Sequence, residues 1–146
     1  MQFTVFSDYS LRVLIHAALR APARVTIDEV AGAFGISRNH LVKVVHGLSK
    51  SGHLATRRGI GGGFTLAVPA EQIMLGRVVR LTEAEETVIS CKDRNNRLCR
   101  IFPACRLRGV LDEAAAAFFA VLDGYSLKDL MQQTSEMNKL LKISTL

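Results

Sequence analysis

Three cysteines, Cys91, Cys99 and Cys105, fall within one short polar stretch, and the chain has no others. Thiolates are soft donors that favour zinc and iron–sulfur clusters. Seven residues separate the first two cysteines and five the next two. Zinc pairs usually sit two to four residues apart, and a wider spacing wraps a cluster more readily than an ion. Lys92, Arg94, Arg97, Arg100 and Arg106 lie in or beside the stretch. Positive charge of that kind stabilises thiolates and offsets an anionic cluster. Three donors fall one short of the usual four, so a fourth must come from elsewhere or from solvent. Three free thiols in a surface loop is the plainer reading, and spacing alone leaves both open. A disulfide framework is not expected, because the count is odd. The start, Met1-Gln2-Phe3-Thr4, also lacks the basic region of a secretory leader, so a cytoplasmic chain with reduced thiols is expected.

The elements before this stretch carry an uneven charge. The net charge is +6; residues 1–68 hold eight Lys/Arg against three acids, and residues 69–146 eleven against ten. A basic N-terminal half points to a polyanionic partner, most simply nucleic acid. Ser7 and Asp8 open a predicted helix over 7–20, with Leu11, Leu14, Ile15 and Ala18 as its core stripe and His16 as an ordinary packed histidine. Thr26 caps a helix over 27–34, Gly35 turns the chain, and Ser37 caps a third helix ending near Lys50. Helix, short glycine turn, helix is the helix-turn-helix pattern. At about 100° per residue, Leu41, Val44, Val45 and Leu48 share one side of the third helix. Asn39, Lys43, His46 and Lys50 share the other, with Ser37 and Arg38 at its start. No acid occurs between residues 36 and 58, whereas a merely solvated face would mix both signs. Arg, Asn and Lys suit base edges and phosphates.

Residues 53–57 and 64–68 read as two strands around Arg58-Gly59-Ile60-Gly61-Gly62-Gly63. Such glycine density makes a tight turn. A phosphate loop would need Gly-Lys-Ser/Thr and a following helix, and neither is present. A hairpin after a helix-turn-helix is a wing, and Arg57 and Arg58 at its base suit a narrow minor groove. Residues 74–81 predict a linking helix with Leu75, Val78 and Val79 inward, and Glu83, Glu85 and Glu86 a solvated acidic patch. From about Ala104 to Leu122 the pattern is again helical. Its apolar face, Leu107, Val110, Leu111, Ala114, Phe118, Val121 and Leu122, is long for a small domain to cover, so a second subunit is the expected occupant. Ser126 caps a last short helix over 127–133, and the tail after Met137 is read as loose. The fold class is therefore mainly α with a small β-hairpin wing: a winged helix-turn-helix plus a long dimerisation helix. The expected parts are a DNA-binding domain with linking helix over 1–81, a cysteine loop over 82–106, and a dimerisation segment over 107–146. No apolar run reaches the roughly 18 residues of a membrane span, and no catalytic triad or nucleotide motif supports an enzyme.

In this order, Phe6-Ser7-Asp8-Tyr9, Ser37-Arg38-Asn39-His40-Leu41-Val42-Lys43, Arg58-Gly59 with Gly62-Gly63, Pro103-Ala104-Cys105-Arg106-Leu107, and Leu122 through Leu130 form a specific set. Over nearly its whole length the chain resembles the NsrR/IscR-type family of iron–sulfur winged-helix repressors, and its nitric-oxide-sensing members are the nearer likeness. The resemblance implies a homodimer on a palindromic double-stranded DNA operator, with His40, Gly62 and Gly63 joining the DNA-contacting residues. It implies an iron–sulfur cluster, [4Fe-4S] or alternatively [2Fe-2S], on Cys91, Cys99 and Cys105, with Asp8 as fourth ligand and nitric oxide as effector. Three departures stand out. Arg108 replaces the histidine that completes the ligand set in IscR-like members, the gap from Cys91 to Cys99 is longer than usual, and the wing tip carries Ile60 and Gly61. Iron or redox sensing through the same loop, and a cofactor-free thiol switch, are the alternative functions; a redox enzyme ranks last.

Overall fold

The computed structural model of the chain describes residues 3–83, 91 and 98–143. Helix α1 runs Val5–Arg20, α2 Ile27–Phe34 and α3 Arg38–Lys50; strands β1, Leu54–Arg57, and β2, Gly63–Leu66, follow. Helices α4, Leu75–Thr82, α5, Arg106–Asp123, and α6, Thr134–Leu140, complete the order. The predicted class holds: the described residues are mostly helical, with a two-stranded antiparallel hairpin among them.

Local chemistry explains the helix boundaries. Thr26 accepts the Glu29 N–H at 3.2 Å while the Glu29 carboxylate takes the Thr26 N–H in return. This reciprocal cap satisfies two of the donors a helix start leaves open. Gly35 ends α2 in the left-handed region. The start of α1 differs from expectation: Thr4, not Ser7, is the cap, and its hydroxyl accepts the Ser7 N–H at 3.2 Å. Ser7 itself is fully buried. The strands are shorter than read; His53 lies just before β1, buried, with its Nδ1 2.8 Å from the Ser51 hydroxyl.

Val13, Leu14, Val30, Leu41, Val44, Leu48 and Phe64 form one core under α1, α2, α3 and the hairpin. Burying such side chains is worth roughly 1.5–3 kcal/mol each against exposure. Val25 exchanges both backbone hydrogen bonds with Phe64, at 2.9 and 2.8 Å, so the link between α1 and α2 lies against the hairpin like a third strand. The chain after α5 returns to the same core. Leu127 is fully buried in it, and its N–H reaches the Ile73 carbonyl at 2.8 Å. The predicted last helix is a 3-10 turn, Lys128–Gln133, entered through Ser126, whose N–H and hydroxyl both donate to Asp129 at 2.7 Å. The stretch read as loose begins within α6, and Asn138 on that helix is buried.

Glu83 is not a free surface acid. Its Oε1 accepts the Thr4 N–H at 2.9 Å and the Thr4 hydroxyl at 3.2 Å, tying the end of α4 to the start of α1. Burial pushes its carboxyl up, but hydrogen bonds from Ser7 and Thr4 outweigh that and hold it below the ordinary range. Glu85 and Glu86 lie outside the described residues.

Candidate nucleic-acid interface and cysteine loop

Helix α3 presents the split that its sequence implies. Leu41, Val44, Val45 and Leu48 are buried against the core, while Ser37, Arg38, Asn39, His40, Lys43, His46 and Lys50 are exposed. Ser37 precedes the helix but makes no side-chain cap, so its hydroxyl stays available. The His40 ring lies 6.0 Å from Tyr9 of α1. Arg38 donates from Nε to Asp28 Oδ1 at 2.8 Å.

The wing also presents exposed basic side chains. Arg57 and Arg58 are exposed, and Ile60 at the tip is fully so. The turn is closed by Gly62 N–H to Gly59 O at 2.9 Å. A Cβ on Gly62 would lie 2.7 Å from two backbone oxygens, and one on Gly63 would meet the Val25 carbonyl oxygen even more closely. These glycines therefore keep the hairpin's shape. From α3 into the hairpin, residues 36–58 carry no acid.

The three cysteines form no disulfide with one another: Cys91 and Cys105 are half-buried and Cys99 is exposed. The Cys99 N–H donates to the Cys91 carbonyl at 2.9 Å, which closes the loop at its neck. Lys92, Arg94 and Arg97 lie outside the described residues. After a 3-10 turn, Phe102–Ala104, Cys105 sits directly before α5. Arg108 is occupied: its guanidinium stacks on Phe102 at 4.6 Å and its Nε faces Asp112 at 3.5 Å. In kind the donors fit an iron–sulfur cluster, three thiols with cationic neighbours. In place, no three His, Cys, Asp or Glu side chains among the described residues come together to hold a metal. Asp8 does not join the thiols within this chain; its carboxylate takes the Arg12 Nε at 2.9 Å, and that bond, more than the opposing burial, raises the arginine's pKa.

Helix α5 sends one aromatic inward, and it is not among those its pattern singled out. Phe119 is its one buried residue, covered by the Arg80 guanidinium at 4.4 Å. Arg80 also grips Asp123 with two bonds of 2.6 and 2.8 Å. Leu111, Phe118 and Leu122 are half-buried, and Phe118 packs on Phe3 and Phe119. Leu107, Val110 and Val121 remain 59%, 54% and 63% exposed. With exposed Ala114 and Ala117 they recur every three and four residues, the spacing of a helix–helix seam.

Comparison with known proteins gives a consistent picture. The family model described as "Rrf2: Iron-dependent Transcriptional regulator" matches residues 3–133. An HTH-type transcriptional regulator NsrR from Bacillus subtilis (strain 168) is 44% identical over 144 residues, covering 98% of this chain and 99% of the relative. Among solved structures, CymR, titled the global cysteine regulator of B. subtilis, superposes with a TM-score of 0.70 at 21% identity, covering 89% of this chain and 95% of that one. The IscR of T. potens gives 0.73 at 20% identity, covering 93% and 90%. At such identities these two structures support the winged-helix fold alone. Among the described residues no helix is long and apolar enough to cross a membrane.

Proposed function

The chain belongs to the Rrf2 family of transcriptional regulators, and on that premise we propose that it is a dimeric, cytoplasmic repressor that senses nitric oxide through an iron–sulfur cluster. The observation that carries the DNA half is the exposed face of α3, acid-free and flanked by a wing with Arg57 and Arg58. Two such surfaces related by a dimer axis suit a palindromic operator with half-sites about one helical turn apart. The outward seam of Leu107, Val110, Ala114 and Val121 is the surface for the second subunit.

Cys91, Cys99 and Cys105 would hold the cluster, with Asp8 of the partner subunit as the fourth donor. When bound, that group supplies an iron to which nitric oxide can ligate. This chain's own residues then link the loop to the reader. Cys105 sits at the root of α5, α5 packs on α4, α4 on α1, and α1 on α3. Arg80 and Asp123 clamp the α4–α5 contact. A change in the loop therefore acts on the dimer helix and, through it, on the spacing of the two α3 helices. An effector works only through unequal stabilisation of the two arrangements.

The family description as iron-dependent favours one second reading, in which the same loop reports iron supply. One experiment separates them. The protein, purified without oxygen, is assayed for iron, sulfide and operator binding before and after stoichiometric nitric oxide, and again after iron chelation. We expect cluster-loaded protein to bind its operator and nitric oxide to release it. Release by chelation with indifference to nitric oxide would support the iron reading; operator binding by iron-free protein, indifferent to both, would support a thiol switch.

A further inference from the structure

Resting on the reading of α3 as the base-contacting helix, we propose that Asp28 is a positioning residue that presents Arg38 to a guanine in each half-site. Arg38 is the first residue of α3, and recognition helices of this type touch bases with their N-terminal residues. Its side chain is long and free to rotate, and it stands 63% exposed. Asp28, 71% exposed in the first turn of α2, accepts its Nε at 2.8 Å. That bond uses the inner edge of the guanidinium. The outer edge, carrying both terminal nitrogens, has no partner among the described residues. Those two nitrogens form the fork that matches guanine O6 and N7.

Asp28 is not part of the cap of α2, although as an acid in the first turn it does suit the helix dipole. The cap of α2 is made by Thr26 and Glu29. Of the three acids in residues 1–68, Asp8 binds Arg12 and Glu29 serves the cap and faces Arg20 at 3.7 Å. Asp28 alone is spent on an exposed residue of the DNA-facing surface. Beside phosphates an acid lowers non-specific affinity, so its presence there makes sense if it raises selectivity. It holds the arginine in the orientation that reads a base and competes with the phosphate contacts a loose arginine would otherwise make.

The test is a binding selection from randomised duplexes, run on the whole protein in the form that binds DNA, with affinities measured for the selected site and for random duplex. Arg38→Ala should lose a guanine preference of about tenfold or more at one position per half-site. Asp28→Ala should lower the preference at that same position by about three- to tenfold, while affinity for random duplex holds or rises because one negative charge is gone. With Arg38→Ala already in place, Asp28→Ala should change nothing at that base. If Asp28→Ala keeps the full guanine preference, or binds all duplexes more tightly with preferences intact, Asp28 is a brake or a bystander and the positioning role fails. A wild-type protein that selects no sequence, or an Arg38→Ala protein that loses no base preference, instead overturns the reading of α3 itself.

Discussion

Helices α3 and α5 carry the same kind of signal, apolar residues at helical spacing, and spend it differently. In α3 the stripe of Leu41, Val44, Val45 and Leu48 disappears into the chain's own core. In α5 a longer stripe leaves Leu107, Val110 and Val121 in solvent and buries Phe119 instead. Amphipathicity therefore says that a face needs a partner, and packing volume says whether that partner is internal. Around α3 there are two helices, a hairpin and the returning Leu127 to do the covering. Beside α5, among the described residues, there are α4, a helix of eight residues, and Phe3 at one end.

That contrast can be broken from either side. Phe64→Ala, in the core under α1, α2, α3 and the hairpin, should cost about 3–5 kcal/mol by chemical denaturation. The loss should appear in the monomer and dimer alike. Val110→Asp, on the outward seam, should leave the circular dichroism of the subunit intact yet yield monomers in sedimentation. Operator affinity should then fall about 10²–10⁴-fold, the gain that linked binding normally provides. A monomeric wild type that binds its operator fully would sink the seam as a dimer surface.

The smallest expected effect is on pH. Burial, reinforced by Arg77, holds the His53 pKa below its ordinary 6.5. Burial likewise lowers His16, helped by Arg20 and opposed by Glu29. Both rings bind protons less readily in the fold than in the unfolded chain, so below that ordinary value the unfolded chain binds more protons. Stability should therefore fall as pH drops from 6.5 toward the folded values, with the melting temperature tracking the loss. Because both histidines lie away from α5, on α1 and just before β1, His53→Gln should flatten the profile, and changes to the α5 seam should leave its shape alone. A flat profile between pH 7 and 5 would contradict the burial of these rings.

What could be read from the sequence was what local chemistry decides. The bounds of α2 follow from the Thr26–Glu29 cap and Gly35, all within nine residues of one another, and the two faces of α3 follow from periodicity. Pairings over distance could not be read. Thr4 and Ser7 are both good caps, and the choice rests on Glu83, 79 residues away from Thr4, which binds Thr4. Phe118 and Phe119 are neighbours, and only the position of Arg80 shows which one turns inward. The pair Asp28 and Arg38 depends on the angle of the helix-turn-helix, which no local rule gives. Helix α6 has little apolar character of its own, and its buried Asn138 owes its place to the surrounding fold.

The wing has a practical consequence for anyone wishing to redirect this protein. Gly62 and Gly63 face backbone oxygens at distances no side chain tolerates, while Ile60 between them and Arg58 touches nothing. The hairpin thus separates a fixed frame from an interchangeable tip. A combinatorial library that holds Arg57, Arg58, Gly62 and Gly63 and randomises position 60 should be well folded almost throughout. It would vary the hairpin tip in the laboratory while Cys91, Cys99, Cys105 and the outward face of α5 stay as they are.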